Sequence, residues 1–120
     1  MRHAVVIATL LVLPIAARAD GDVDAGKKVF AKCGICHSTV QGENKIGPSL
    51  YGVVGRPAHS VPDYSYSDAM MHHDVTWTAD ELNAYLVDPR KSVPGTKMIF
   101  PGLKDETQRR DLIAYLETLK

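Results

Sequence analysis

Cys33-Gly34-Ile35-Cys36-His37 is the stretch on which the reading of this chain turns. Two cysteines three positions apart fit within one helical turn, so both sulfurs aim the same way. A histidine directly after the second completes C-x-x-C-H, the pattern of covalent haem attachment. In that chemistry Cys33 and Cys36 add to the two vinyl groups of one porphyrin, and His37 sits under the ring centre as the proximal iron ligand. The second imidazole nitrogen then needs an acceptor to fix the ring. Three other readings use the same residues. An exported chain could close the pair as a disulfide. A thioredoxin-like redox pair would need a strand–helix setting, which the sequence does not offer. A zinc site would need a second cysteine pair or a histidine cluster at suitable spacing. The adjacent His37, together with an export signal, favours haem over all three.

Haem iron takes a second axial ligand. Val93-Pro94-Gly95-Thr96-Lys97-Met98 is a stiff, turn-rich loop that presents a thioether. A single methionine is ordinarily core filler, but the loop context marks Met98 as the ligand. A thioether favours ferrous iron and raises the reduction potential. Met70 and Met71 are also thioethers, yet they fall in a short helical stretch without a Pro-Gly loop and are not expected to compete. His59, His72 and His73 are read as solvent-exposed surface.

Outward from these residues the pattern is helical, and the fold class is all-α. Asp22 or Asp24 can cap a first helix running to about Lys32, with Gly26 and Phe30 on one face. A short helix begins at Ser67 and covers Asp68 to His72. Thr78-Ala79-Asp80-Glu81 is a capping-box pattern opening a helix with Leu82, Tyr85 and Leu86 on one side. Asp88-Pro89 ends it. A last helix starts near Asp105 and runs to the C-terminus, with Leu112, Ile113, Tyr115, Leu116 and Leu119 at three- and four-residue spacing. Loops rich in Gly and Pro fill Ser38 to Ser65 and Lys91 to Leu103. Loops that long in a small domain need a reason, and wrapping a cofactor is one.

The first nineteen residues read as a cleaved signal peptide. Arg2 and His3 are followed by a mostly apolar run of 14 residues, Ala4 to Ala17, then by the small-x-small signature Ala17-Arg18-Ala19. The run is shorter than the roughly 20 residues a bilayer span needs, and it contains Pro14. Residues 20–120 then form one domain, and no membrane span remains after cleavage. Of the 120 residues, 45% are hydrophobic and 23% charged, the composition of an ordinary soluble globular protein. Cleavage removes Arg2 and Arg18, so the basic count falls from 14 to 12 against 14 acidic residues, a formal charge of about −2. That balance gives no reason to expect nucleic-acid binding.

At this point the chain resembles a class I cytochrome c, of the small bacterial type similar to mitochondrial cytochrome c. The resemblance runs from about Asp22 to Leu119. It is carried by Gly26 with Phe30, the Cys33 to His37 run, Gly47-Pro48-Ser49-Leu50-Tyr51-Gly52, Gly55-Arg56, Tyr64 to Ala69, Trp77, Tyr85-Leu86, Pro89 to Phe100, and Asp111 to Leu116. It implies three main helices plus short helices and long loops wrapped around one covalently bound haem c. It implies that the Pro48 carbonyl accepts from His37 and that the Tyr85 hydroxyl lies near the Met98 sulfur. It further implies that Arg56, Tyr66, Trp77 and Thr96 surround a haem propionate, and that Gly26 and Phe30 meet Leu112 and Tyr115 where the first and last helices cross. The chain departs from the family at Met70, where Asn is common; this is expected to alter the polar network on the Met98 side.

The function implied is a periplasmic, monomeric carrier of single electrons, not an enzyme. Its partners would be redox proteins docking at the haem edge: a membrane oxidase, reductase or reaction centre, or a periplasmic dehydrogenase. Lys32, Lys45, Arg90, Lys91 and Lys97 flank the attachment run or the Met98 loop, suggesting a basic front with acidic residues mostly elsewhere. Two alternatives are a haem enzyme or gas sensor with a displaceable Met98, and a haem-free module held by a disulfide.

Overall fold

The computed structural model describes residues 9–11 and 21–120. Apart from residues 9–11, the expected signal peptide lies outside the described residues. Five helices follow in order: α1 Val23–Phe30, α2 Asp68–Met71, α3 Ala79–Val87, α4 Pro89–Ser92 and α5 Glu106–Glu117. Among the described residues the only β pairing is an isolated antiparallel bridge between Pro57 and Thr76. No helix there is long and apolar enough to cross a membrane.

Each helix begins where a short polar side chain can take an orphan backbone N–H. Asp22 accepts from the Ala25 N–H at 3.0 Å. Its own N–H donates to Asp111 Oδ1 at 2.8 Å, so one residue both caps α1 and ties it to α5. Ser67 caps α2 and Asp105 caps α5 in the same manner. Thr78 accepts from the Glu81 N–H at 3.1 Å. The reciprocal arm of the expected capping box does not form, because the Thr78 N–H donates to the Thr76 carbonyl at 2.7 Å instead.

Helix α1 ends at Phe30 and α2 at Met71, short of the expected Lys32 and His72, and two later boundaries differ as well. Asp88 does end α3 in the extended geometry that precedes a proline. It also caps a new turn, α4, whose first residue is Pro89, so the loop expected from Lys91 begins helically. Helix α5 stops at Glu117 rather than at the C-terminus, where the Thr118 hydroxyl donates to the Tyr115 carbonyl at 2.6 Å.

The core lies between α3 and α5, with loop residues closing it. Leu82, Tyr85 and Leu86 face Leu112, Ile113 and Leu116, and Val53, Trp77, Val93 and Leu103 fill the sides. Gly102, at φ +98°, brings bare backbone against the Val87 carbonyl, where a Cβ would come within 2.1 Å. That approach lets the Leu103 N–H reach the Leu86 carbonyl at 2.7 Å and Lys104 Nζ reach the Val87 carbonyl at 2.6 Å, satisfying the end of α3. Arg109, not singled out from the sequence, is buried without a carboxylate partner among the described residues. Its guanidinium donates to Asn83 Oδ1 at 2.9 Å, Leu103 O at 2.8 Å and Lys104 O at 3.0 Å, fastening α5 to α3 and the loop between them.

Helices α1 and α5 cross at Gly26. A Cβ there would lie 1.9 Å from the Asp111 carbonyl oxygen and 2.9 Å from Tyr115 Cβ. One turn on, the Phe30 and Tyr115 rings pack with centroids 5.3 Å apart. Overpacking this contact, as in Gly26→Ala, is expected to destabilise the haem-loaded protein by about 3 kcal/mol. Denaturant unfolding should show a lower midpoint with little change in slope; an unchanged midpoint would mean the helices do not depend on the bare crossing.

Candidate functional site

The attachment run continues the path of α1 as overlapping turns. The Cys33 and Gly34 N–H groups both donate to the Phe30 carbonyl, at 2.7 and 2.9 Å. Those of Cys36 and His37 both donate to the Cys33 carbonyl, at 3.0 and 2.9 Å. This winding points both cysteines and His37 into one cavity of about 470 Å³. No disulfide joins Cys33 to Cys36. Burial pushes the Cys33 thiol up to about 11, with Lys32 opposing and Cys36 adding to the rise.

All ten residues singled out from the sequence line this cavity: Cys33, Cys36, His37, Pro48, Arg56, Tyr66, Trp77, Tyr85, Thr96 and Met98. His37 Nδ1 lies 2.7 Å from the Pro48 carbonyl. A carbonyl only accepts, so Nδ1 carries the hydrogen and Nε2 keeps its lone pair. Burial lowers the His37 pKa, the Pro48 carbonyl opposes, and Arg56 and Lys45 add to the lowering. The result is a neutral imidazole, the form that ligates a metal.

A second side chain is presented from the opposite stretch of sequence. Gly95, at φ +90°, turns the loop. The Thr96 N–H closes it onto the Val93 carbonyl at 3.0 Å, and the Met98 N–H donates to Thr96 Oγ1 at 3.2 Å. The Tyr85 hydroxyl donates to Met98 Sδ at 3.2 Å. Burial raises the Tyr85 pKa to about 12, with Thr96 opposing, so the hydroxyl stays a donor across the physiological range. Behind it Trp77 packs against Tyr85, ring centroids 4.9 Å apart and planes tilted by 51°.

Arg56 holds the polar corner. Its Nη1 donates to the Ser49 carbonyl at 3.0 Å and the Tyr51 carbonyl at 2.8 Å, leaving Nε and Nη2 for an anion. Burial lowers its pKa, with Tyr66 opposing. The Tyr66 hydroxyl accepts from the Val61 N–H at 3.0 Å and retains its own hydrogen to donate.

The three surface histidines divide. His72 is exposed, with Nδ1 against the Asp68 carbonyl. His59 instead lines the cavity and holds Asp74 at 2.7 Å, while His73 is half-buried on the Trp77 ring, centroids 5.6 Å apart. Periodicity gives no signal for either, because both lie where loops fold back. Met70 also lines the cavity.

Much of the remaining lining is apolar, including Leu50, Val53, Leu82, Leu86, Leu112 and Leu116, while Lys32, Ser67 and Lys97 add polar groups. A large apolar group with anionic arms, attached at two thiols and offered an imidazole and a thioether, matches every part of this lining. Haem c is such a group.

A family model described as Cytochrome c matches residues 23–120. Cytochrome c2 of Rhodopila globiformis is 52% identical over 101 residues, covering 83% of this chain and 95% of that protein. Cytochrome c2 of Blastochloris viridis is 42% identical over 118 residues, covering 98% and 93%. Among solved structures, cytochrome cH from Methylobacterium extorquens superimposes with a TM-score of 0.77 at 46% identity, covering 82% of this chain and 99% of that one. The chain therefore belongs to the cytochrome c family, as a carrier of electrons on one covalently bound haem c and not an enzyme.

Proposed function

We propose that the matured chain is a periplasmic shuttle in which Cys33 and Cys36 form the thioether bonds and His37 and Met98 are the axial ligands. One observation carries this assignment. A single cavity presents an imidazole oriented by a carbonyl and a thioether oriented by a hydroxyl. When bound, the haem supplies a one-electron Fe(III)/Fe(II) couple.

The chain's own residues do the tuning. Pro48 keeps His37 electron-rich and in one tautomer. Tyr85 withdraws electron density from the Met98 sulfur, which disfavours the ferric state. Arg56 and Tyr66 offset the negative charge of a propionate. Two protein ligands leave no coordination position for substrate, and a fixed geometry keeps rearrangement between oxidation states small.

Export rests on the leader at residues 1–19, cleaved after Ala19. The alignment with the Blastochloris viridis relative supports it, because 118 aligned residues must extend into that leader. Docking is proposed at the cavity mouth, where Lys32 and Lys97 stand beside Ile46 and Ile99, 75% and 88% exposed. Two of the basic side chains also brace the rim. Lys45 Nζ donates to the Gly34 carbonyl at 2.8 Å. Lys97 reaches the Ser65 carbonyl over the Tyr64 ring. The front is not purely basic, because His59 brings Asp74 toward the cavity side. On another side, Asp80, Glu106 and Glu117 line a polar cleft of about 340 Å³. An apolar contact flanked by Lys32 and Lys97 suits an acidic redox partner: an oxidase, reductase, reaction centre or dehydrogenase met by a monomer in transient encounters.

Three measurements test this reading. Met98→Ala should abolish the far-red sulfur-to-iron band of the ferric protein, lower the potential and open the reduced protein to carbon monoxide. The unsubstituted protein should bind that gas slowly, and rapid binding would instead favour the sensor or enzyme. Tyr85→Phe should lower the potential by tens of millivolts, since a hydrogen bond of about 1 kcal/mol corresponds to roughly 40 mV for one electron; no change would remove Tyr85 from the tuning. Electron transfer to an acidic partner should slow at least several-fold between low and physiological salt. A salt-independent rate would discard the docking surface.

A further inference from the structure

Gly47 differs from the glycines that serve turns. Gly42, Gly52, Gly55, Gly95 and Gly102 have positive φ, and Gly47 is not among them. Its backbone is therefore one that a residue with a side chain could adopt. Space is what excludes a side chain. A Cβ at Gly47 would lie 2.3 Å from His37 Cε1, 2.6 Å from Nδ1 and 2.8 Å from Nε2. Ordinary contact begins at 3.4 Å, so the shortfall at Cε1 is about 1.1 Å. The backbone has nowhere to retreat. The Gly47 N–H donates to the Cys36 carbonyl at 2.8 Å, and the Gly47 carbonyl accepts from the Lys45 N–H at 3.0 Å. The next residue, Pro48, has a fixed φ and takes the His37 Nδ1 hydrogen at 2.7 Å.

The geometry points to Gly47 as a positioning residue for the proximal imidazole. Its bare backbone is a wall against the face of the ring at Cε1, and the Pro48 carbonyl is a tether at the neighbouring Nδ1. Wall and tether together set the rotation of the ring about its Cβ–Cγ bond. That rotation fixes the direction of the Nε2 lone pair and the plane of the ring beneath the haem. The inference rests on the assignment of His37 as proximal ligand. A methyl group at Gly47 would turn the ring and bend the Nδ1 hydrogen bond. The imidazole would then donate less electron density, a loss that ferric iron feels more than ferrous iron, so the potential would rise.

The test compares Gly47→Ala with Gly42→Ala, both as the full matured holoprotein. Gly42 has φ +78° and nothing within 4 Å of an added Cβ, so its substitution strains a turn without touching His37. In Gly47→Ala the ferric electron paramagnetic resonance g values, the His37 ring-proton shifts and the midpoint potential should all move, the potential upward. In Gly42→Ala they should hold. Unchanged g values and potential in Gly47→Ala, or equal changes in both variants, would overturn the proposal. Should Gly47→Ala fail to mature, the unsubstituted reduced protein decides: strong cross-relaxation between the Gly47 α-protons and His37 Hε1 is expected, and its absence overturns the wall. Loss of histidine-nitrogen coupling to iron in the unsubstituted ferric protein would instead mark failure of the ligand assignment itself.

Discussion

Burial of one large, flat, apolar group is the constraint on which the rest of this structure depends. A domain of this size buries a smaller share of its surface than a larger one, so a large buried group adds appreciably to its stability. Here α3 and α5 give part of their apolar faces to a central cavity instead of to each other. Leu82, Leu86, Leu112 and Leu116 belong at once to the core and to the cavity wall. Folding and cofactor retention thus draw on the same contacts. The proposed attachment at Cys33 and Cys36 would remove the possibility that the group leaves, and the long loops serve as walls rather than slack.

Redox tuning follows from how the two axial candidates are held. Each is oriented by a neutral hydrogen bond from outside the iron's reach: a carbonyl behind His37, a hydroxyl beside Met98. The two act in opposite senses. With His37 and Met98 as the proposed ligands, the carbonyl would strengthen a donor to ferric iron and the hydroxyl would weaken one. Both depend on short backbone loops, Gly47-Pro48 and Gly95-Thr96, that are pinned by their own hydrogen bonds. A rigid site of this kind changes little between oxidation states, which is what rapid electron exchange requires.

Much of this was legible in the sequence, because its strongest signals are local. The attachment run, the caps at Asp22, Ser67, Thr78 and Asp105, and the apolar stripe of α5 each depend on residues a few positions apart. What escaped was set by partners distant in sequence. Arg109 earns its burial from Asn83 and two loop carbonyls. His59 and His73 are drawn inward by Asp74 and Trp77. Lys97, read only as a surface charge, also braces Ser65 across the rim. The missing arm of the Thr78 capping box reflects competition from Thr76, a choice local pattern cannot foresee.

The intact mass of the exported, matured protein bears most directly on the central claim. The account requires the mass of residues 20–120 plus one haem, with the haem retained after acid–solvent extraction and peptide mapping placing it on Cys33 and Cys36. An unmodified polypeptide mass, or a haem that extraction removes, would contradict it.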